Sequence, residues 1–325
     1  MRFALSEEQQ AFGKAVEALL AATDVPAATR AWASGDTAAG EALWGRLSEL
    51  GVTALGVPEE FGGIGGSPLD LVVALDRIGY HGAPGPYVES LTLAPLLLAG
   101  TSQDGLLEQV AEGAARVSVA APPLAPYALD AESSHTFLLA DGALSHAIVE
   151  RPLTSVDPAR RLAAVTAGEP VGQVPPATVD LALDHAALAA SAVLVGAGQR
   201  LLDEAVAYVG QRRQFGRAIG EYQAVKHALA DVRVALDFAR PLVHGAALEL
   251  GDRSDVAARD VSAAKVAASE AAHLAARTAL QVHGAVGYTL ELDLSIWILK
   301  VRALVGAWGA PAHHRARVLD SLTGA

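Results

Sequence analysis

Apolar and polar positions alternate with two different rhythms along this chain. Phe12, Val16, Leu19 and Leu20 share one helical face, and Ser6, Glu7, Glu8 and Gln9 before them read as an N-cap and first turn. The same helical spacing predicts helices over Thr37–Leu50, Leu69–Ile78, Ser90–Ala99 and Asp104–Glu112. The stretches GVPEEFGGIGGSP and HGAPGP interrupt them, because glycine and proline cannot continue a helix. From Arg116 to about Leu183 the rhythm shortens to short β-like runs, RVSVAA, HTFLLA, AIVERP, RLAAVT and TVDLAL, which predict about five strands. From His185 onward it lengthens again. Leu194, Leu201, Leu202, Ala205 and Val209 form one helical stripe, and Val225, Leu229, Val232 and Leu236 a second. Ala264, Ala268, Ala271, Ala275 and Ala279 line a third helix, which Gly284 and Gly287 end. Shorter helices follow near Asp293–Leu304 and Ala312–Leu322.

The expected fold is mostly α with a small central β domain. An N-terminal helical domain covers residues 1–114, a reduced β domain 115–183, and a C-terminal helical bundle 184–325. Composition narrows the function. The 325 residues carry 24 basic and 36 acidic side chains, a formal charge of −12. That balance argues against a nucleic-acid or membrane-surface binder, so any basic site must be local. Cysteine is absent, which excludes disulfides, thiolate metal sites and cysteine nucleophiles. The N-terminus lacks the pattern of a signal peptide, and no run of about 18 apolar residues predicts a membrane span. The expectation is a soluble, cytoplasmic protein. Abundant alanine and only 5% aromatic residues fit closely packed helices.

Against the acidic background, QRRQFGR at residues 211–217 stands out. Arginines at a helix end complement the helix dipole. The same residues also make an anion clamp: Arg212 or Arg213 for a phosphate, Phe215 against a flat ring, Gln214 hydrogen-bonding beside it. QVHGAVGYT at 281–289 is either a helix cap and turn or a place where Gly284 lets backbone approach a ligand. Gly196 and Gly198 lack the third glycine and preceding strand of a dinucleotide site. Adjacent His313 and His314 do not share a helix face, and the other histidines are scattered, so no metal site is expected. No GxSxG stretch exists.

Three segments together, LGVPEEFGGIGGS, QRRQFGRAIGEYQAVKHALADV and QVHGAVGYT, resemble the acyl-CoA dehydrogenase family in order and along almost the whole chain. The resemblance implies a helical domain, a β domain and a four-helix domain that makes the oligomer. It implies FAD as cofactor and oxidation of an acyl-CoA thioester to its 2,3-enoyl form. A glutamate removes the α-proton and the flavin takes a hydride from the β-carbon. The family shares its cofactor between subunits. On that pattern Arg212, Gln214 and Phe215 clamp the far end of the flavin, and Gln281 and Gly284 occupy the Q-x-x-G positions. Ala285 stands where the family has a second glycine.

The departures are as informative. The position matching the family's usual base, 27 residues after Gln281, is Trp308, a hydrogen-bond donor that cannot take a proton. The alternative family position, in the first long helix of the C-terminal domain, is Ala186. No T-E-P-x-x-G-S-D-like or W-I-T-N-like stretch is present in the short β domain. The expectation is therefore a non-catalytic subunit of a heteromeric acyl-CoA dehydrogenase, resembling bacterial members that act on steroid or bile-acid side chains. Its partners would be a second family chain carrying the catalytic glutamate, the acyl-CoA substrate and an electron-transferring flavoprotein. Two other readings stay open: a homomeric enzyme with a displaced base such as Asp184, His185 or Glu291, and a helical scaffold without flavin.

Overall fold

The computed structural model describes residues 5–289 and 292–324. Ser6 opens helix α1 (Glu7–Ala21) with a reciprocal capping box to Gln9, as the sequence predicts. Helix α2 (Val25–Ala33) is too short to show a clear period, and the hydrophobic pattern did not mark it; Asp24 caps it by accepting from the Ala27 N–H at 3.0 Å. Helices α3 (Ala38–Glu49) and α4 (Pro68–His81) follow, the second opened by a Ser67–Asp70 capping box. A π-helical turn over Glu89–Leu93 runs into α5 (Ala94–Leu98), and α6 (Asp104–Ala111) ends this helical portion.

The central sheet contains β1 (Val117–Ala120), β2 (Ala128–Leu129), β3 (His135–Ala140), β4 (Ala143–Leu153) and β5 (Leu162–Gln173). Its order is β1-β3-β4-β5-β2, with β1 and β3 parallel and the other neighbours antiparallel. In the long β4–β5 hairpin each strand leaves the core toward its own C-terminal end, Ile148–Pro152 in β4 and from Thr166 onward in β5. TVDLAL, expected as a strand, is instead the start of helix α7 (Pro176–Gln211). Its alternating Val179, Leu181 and Leu183 imitate a strand period. All three pack against the core from the helix, and Pro176 at the first helical position starts it where proline is tolerated. The alanine-rich run that follows carries the helix through 36 residues.

After α7 come a two-stranded hairpin, β6 (Arg213–Gln214) and β7 (Arg217–Ala218), then α8 (Gln223–Gly251), α9 (Ala257–His283), α10 (Leu294–Leu304) and α11 (Pro311–Thr323). Helix α7 is the hub, packed against α9, α4, α8 and α10. It is long and apolar enough to span a bilayer, yet most of it is buried in the core. Small residues permit the close crossings. A Cβ on Gly196 would lie 2.0 Å from the Asp76 carbonyl oxygen of α4, so only glycine fits there. The G-A-G stretch is thus a helix-packing device. Ala264, Ala268, Ala271, Ala275 and Ala279 are all buried on α9, as their spacing predicts. The mostly helical fold with a small central sheet agrees with the reading of the sequence.

Candidate functional site

The residues QRRQFGR do not simply end a helix. Helix α7 stops at Gln211, and the next residues turn back as β6 and β7, with Arg213 opposite Ala218 and Gln214 opposite Arg217. Phe215 and Gly216 form the two-residue tip, with φ of 51° and 83°. Positive φ at both central positions is what a tight hairpin requires, and Gly216 supplies it freely. Phe215 adopts it against its preference, at a cost of order 1 kcal/mol. The ring is 94% exposed, so no packing within this chain compensates.

The rest of the hairpin is held from behind. The Arg217 guanidinium lies 3.9 Å from the centre of the Tyr222 ring, and the Tyr222 hydroxyl donates to the Gln214 carbonyl at 3.4 Å. The Ala218 N–H donates to Glu221 Oε1 at 3.2 Å, and the Gln214 side-chain amide donates to the Arg213 carbonyl at 2.8 Å. Arg212 and Arg213 are exposed, and their guanidinium groups have no ion-pair partner among the described residues. Gly216 was the only sequence signal for this hairpin, since phenylalanine is not a usual residue at the first position of a two-residue turn.

Helix α9 ends against the last turn of α7. Gly284 has φ 63° and ψ −140°, a conformation essentially confined to glycine. Gln281, Gly284 and Ala285 are exposed. The Tyr208 ring, four residues before Arg212, stacks on His283 with centroids 4.1 Å apart, and its hydroxyl reaches the His283 carbonyl at 3.5 Å. The ends of α7 and α9 are therefore tied together, and the two predicted ligand segments emerge at one place. Sequence reasoning assigned no role to Tyr208, His283 or Tyr222.

The proposed base positions lie elsewhere. Trp308 is 2% exposed, at φ 57°. Its indole N–H has no acceptor among the described residues, and its carbonyl accepts from His314 Nε2 at 2.9 Å. Burial pulls His314 down to about 4, so the ring is neutral and its Nδ1 accepts from the Ser262 hydroxyl at 3.2 Å. Ala186 is fully buried. Asp184 is buried and ion-paired with Arg317 at 2.6 Å; burial raises its pKa while the arginine opposes the rise. His185 is pulled down to about 4 by burial. Neither is an unpaired, accessible acceptor. Glu291 lies outside the described residues.

A cleft of about 650 Å³ opens between the β domain and the α10–α11 corner, lined by Tyr127, Val156, Arg160, Leu162, Arg302 and Ala307 among others. Behind its wall, Lys265 is fully buried, and its ammonium donates to the Leu304 and Val305 carbonyls at 3.0 and 3.3 Å. A smaller cleft of about 310 Å³ shares Ser155, Arg160 and Leu162 with it.

Comparison with known proteins matches both ends of this architecture. Residues 6–113 match the acyl-CoA dehydrogenase N-terminal domain, and residues 177–323 the C-terminal domain. Acyl-CoA dehydrogenase IpdE2 of Mycolicibacterium smegmatis is 32% identical over 97% of this chain and 98% of its own. The ChsE4-ChsE5 complex from Mycobacterium tuberculosis superposes with a TM-score of 0.83 at 23% identity, covering all of both chains. The Tcur3481-Tcur3483 steroid ACAD superposes with a TM-score of 0.86 at 22% identity, covering 98% of both. With two domains matched in order and a full-length relative above 30% identity, the chain belongs to the acyl-CoA dehydrogenase family.

Proposed function

We propose that this chain is the base-less subunit of a heteromeric acyl-CoA dehydrogenase and that it lends a cofactor clamp to its partner's active site. The observation that carries the reading is a pairing of opposites. The position of the family's base holds a buried Trp308, while Arg212 at the end of α7 and Arg213 and Phe215 on the hairpin are exposed. An exposed aromatic at positive φ beside two guanidiniums without an ion-pair partner among the described residues fits a phosphate-bearing ring held by another polypeptide.

The family is FAD-dependent, and the residues here suit one half of that cofactor. Arg212 would meet the phosphates, Gln214 and Phe215 the adenine end, and Gln281, Gly284 and Ala285 the backbone beside them. FAD supplies the hydride acceptor when bound. The proton acceptor would come from a second family chain, because Trp308 has no lone pair to offer and Asp184 is held by Arg317. The substrate class is an acyl-CoA thioester, with a steroid-type acyl group as the resemblance to the steroid ACAD supports. An electron-transferring flavoprotein is the proposed acceptor, and two copies of each chain the proposed assembly.

The test is co-purification. This chain alone should hold little FAD, and the complex with its partner should show bound flavin absorbance and turnover. Stoichiometric flavin and turnover from the isolated chain would contradict the proposal and favour the homomeric reading.

A further inference from the structure

Helix α7 holds two other helices through aromatic contacts about two turns apart. Tyr208 stacks on His283 at the end of α9. Earlier on α7, roughly 12 Å back along the axis, the Arg200 guanidinium lies over two rings. It is 4.8 Å from the centre of Trp297 on α10 and 5.5 Å from that of Tyr80 on α4. The Trp297 indole N–H donates to the Tyr80 carbonyl at 2.9 Å, and the Tyr80 hydroxyl donates to Asp203 of α7 at 3.0 Å. A Cβ on Gly82, which caps α4 at φ 73°, would stand 3.1 Å from the indole nitrogen, so glycine there leaves room for the ring.

Arginine suits this joint. Glu204, one turn on, takes one end of the guanidinium at 2.6 Å and orders it from its own helix. The planar cation can then stack on aromatic faces. Its Nε is buried with no acceptor among the described residues, so the rings are what that edge meets. Helix α10 has a second tie, the Arg30–Asp293 ion pair just before its first residue. Both side chains of that pair are about half exposed, where screening leaves it little strength. Trp297, by contrast, is 1% exposed. Helix α10 in turn packs against the Gly284–Tyr288 turn that follows α9. The turn that carries Gly284 and Ala285 is thus held at its start by Tyr208, through His283, and along its flank by α10.

We infer that Arg200 is a positioning residue for the flavin half-site: through the Trp297 ring it fixes α10, and α10 fixes the turn that presents Gly284 and Ala285. The inference rests on the clamp reading above and adds to it a residue that touches no cofactor. One helix then sets both parts of the half-site. Helix α7 places Arg212 at its own end and Gly284 through its two aromatic contacts.

Arg200→Met keeps a long apolar stem and removes the cation. In the full chain, hydrogen exchange at the Gly284–Thr289 amides should quicken by about fivefold, the factor one lost cation–π contact supports, while the amides of α6 stay as they are. The FAD affinity of the complex with the partner chain should fall by a similar factor. Arg200→Lys, which keeps a cation over the rings, should recover most of both effects. Trp297→Phe, a milder change, should shift the same amides in the same direction. Unchanged exchange at the turn in both Arg200→Met and Trp297→Phe would overturn the inference. So would a uniform quickening along the chain, or an Arg200→Lys variant no better than Arg200→Met, since either marks a merely structural role. Arg212→Ala tests the clamp apart. Unchanged FAD affinity in Arg212→Ala contradicts the clamp, whereas weaker FAD there with unchanged FAD in Arg200→Met contradicts the positioning role alone.

Discussion

Tyr208 stacks face to face on His283, with ring centroids 4.1 Å apart and planes 24° from parallel. Through this contact the end of α7 fixes the end of α9, one turn before the hairpin begins. Tyr208→Ala should remove the stack and lower FAD retention by the complex, with a stability loss of about 1 kcal/mol. Tyr208→Phe should keep both. Flavin absorbance after desalting, alongside a urea titration, separates the two effects.

Arg212→Ala should weaken flavin retention in the complex by roughly tenfold or more, since a charge-assisted contact to phosphate is lost. The fold should be untouched, because the Arg212 guanidinium has no ion pair to lose among the described residues. Equilibrium dialysis of FAD against the complex measures the shift, and unchanged retention would contradict the assigned clamp.

Trp308→Glu should not create an active subunit. The indole is buried at φ 57°, and a carboxylate in its place would carry the cost of burying a charge. The expected outcome is a less stable protein with no acyl-CoA oxidation, checked by thermal melting and a dye-reduction assay.

Gly196→Ala should destabilise the fold by about 3 kcal/mol, because its Cβ would lie 2.0 Å from the Asp76 carbonyl oxygen and push α7 off α4. Gly172→Ala is the control. A Cβ there meets nothing within 4 Å, and the expected change is within about 0.5 kcal/mol.

Two buried groups predict a pH profile with opposite limbs. Burial pushes Asp130 up from 3.8 to about 7, so the folded state holds its proton more tightly. Its contribution is present at low pH and is lost as pH rises toward 7. Burial pulls Lys265 down from 10.5 to about 7, so the folded state binds its proton less tightly, and its contribution grows from pH 7 toward 10.5. Together they give a shallow minimum near neutrality. Asp130→Asn should flatten the acidic limb and Lys265→Met the alkaline one, as read from urea midpoints between pH 4.5 and 10.

The long elements were legible because their period is carried by many residues. The stripes of α8 and α9 and the strands β1, β3, β4 and β5 all fall where the spacing places them. Short or ambiguous patterns were not. Val179, Leu181 and Leu183 satisfy a strand and a helix equally, and the tertiary packing decided for α7. Strand β2 has two residues and no pattern at all. The clamp residues were readable as types, but the hairpin that carries Phe215 depends on φ at two positions, which composition does not encode. Lys265 and Lys300 sit within apolar helix faces, and only the three-dimensional structure shows that the first takes up backbone carbonyls and the second lies 3.8 Å from Asp157.

Helix α7 starts directly after the sheet and stops directly before the hairpin, 36 residues later. At 1.5 Å per residue it is a rod roughly 54 Å long. Its length is a molecular ruler: adding or removing one residue within it would rotate the tip by about 100° as well as shift it. The reach of Phe215 is thus set as an integer number of residues, and any surface that the proposed clamp meets has to match that integer.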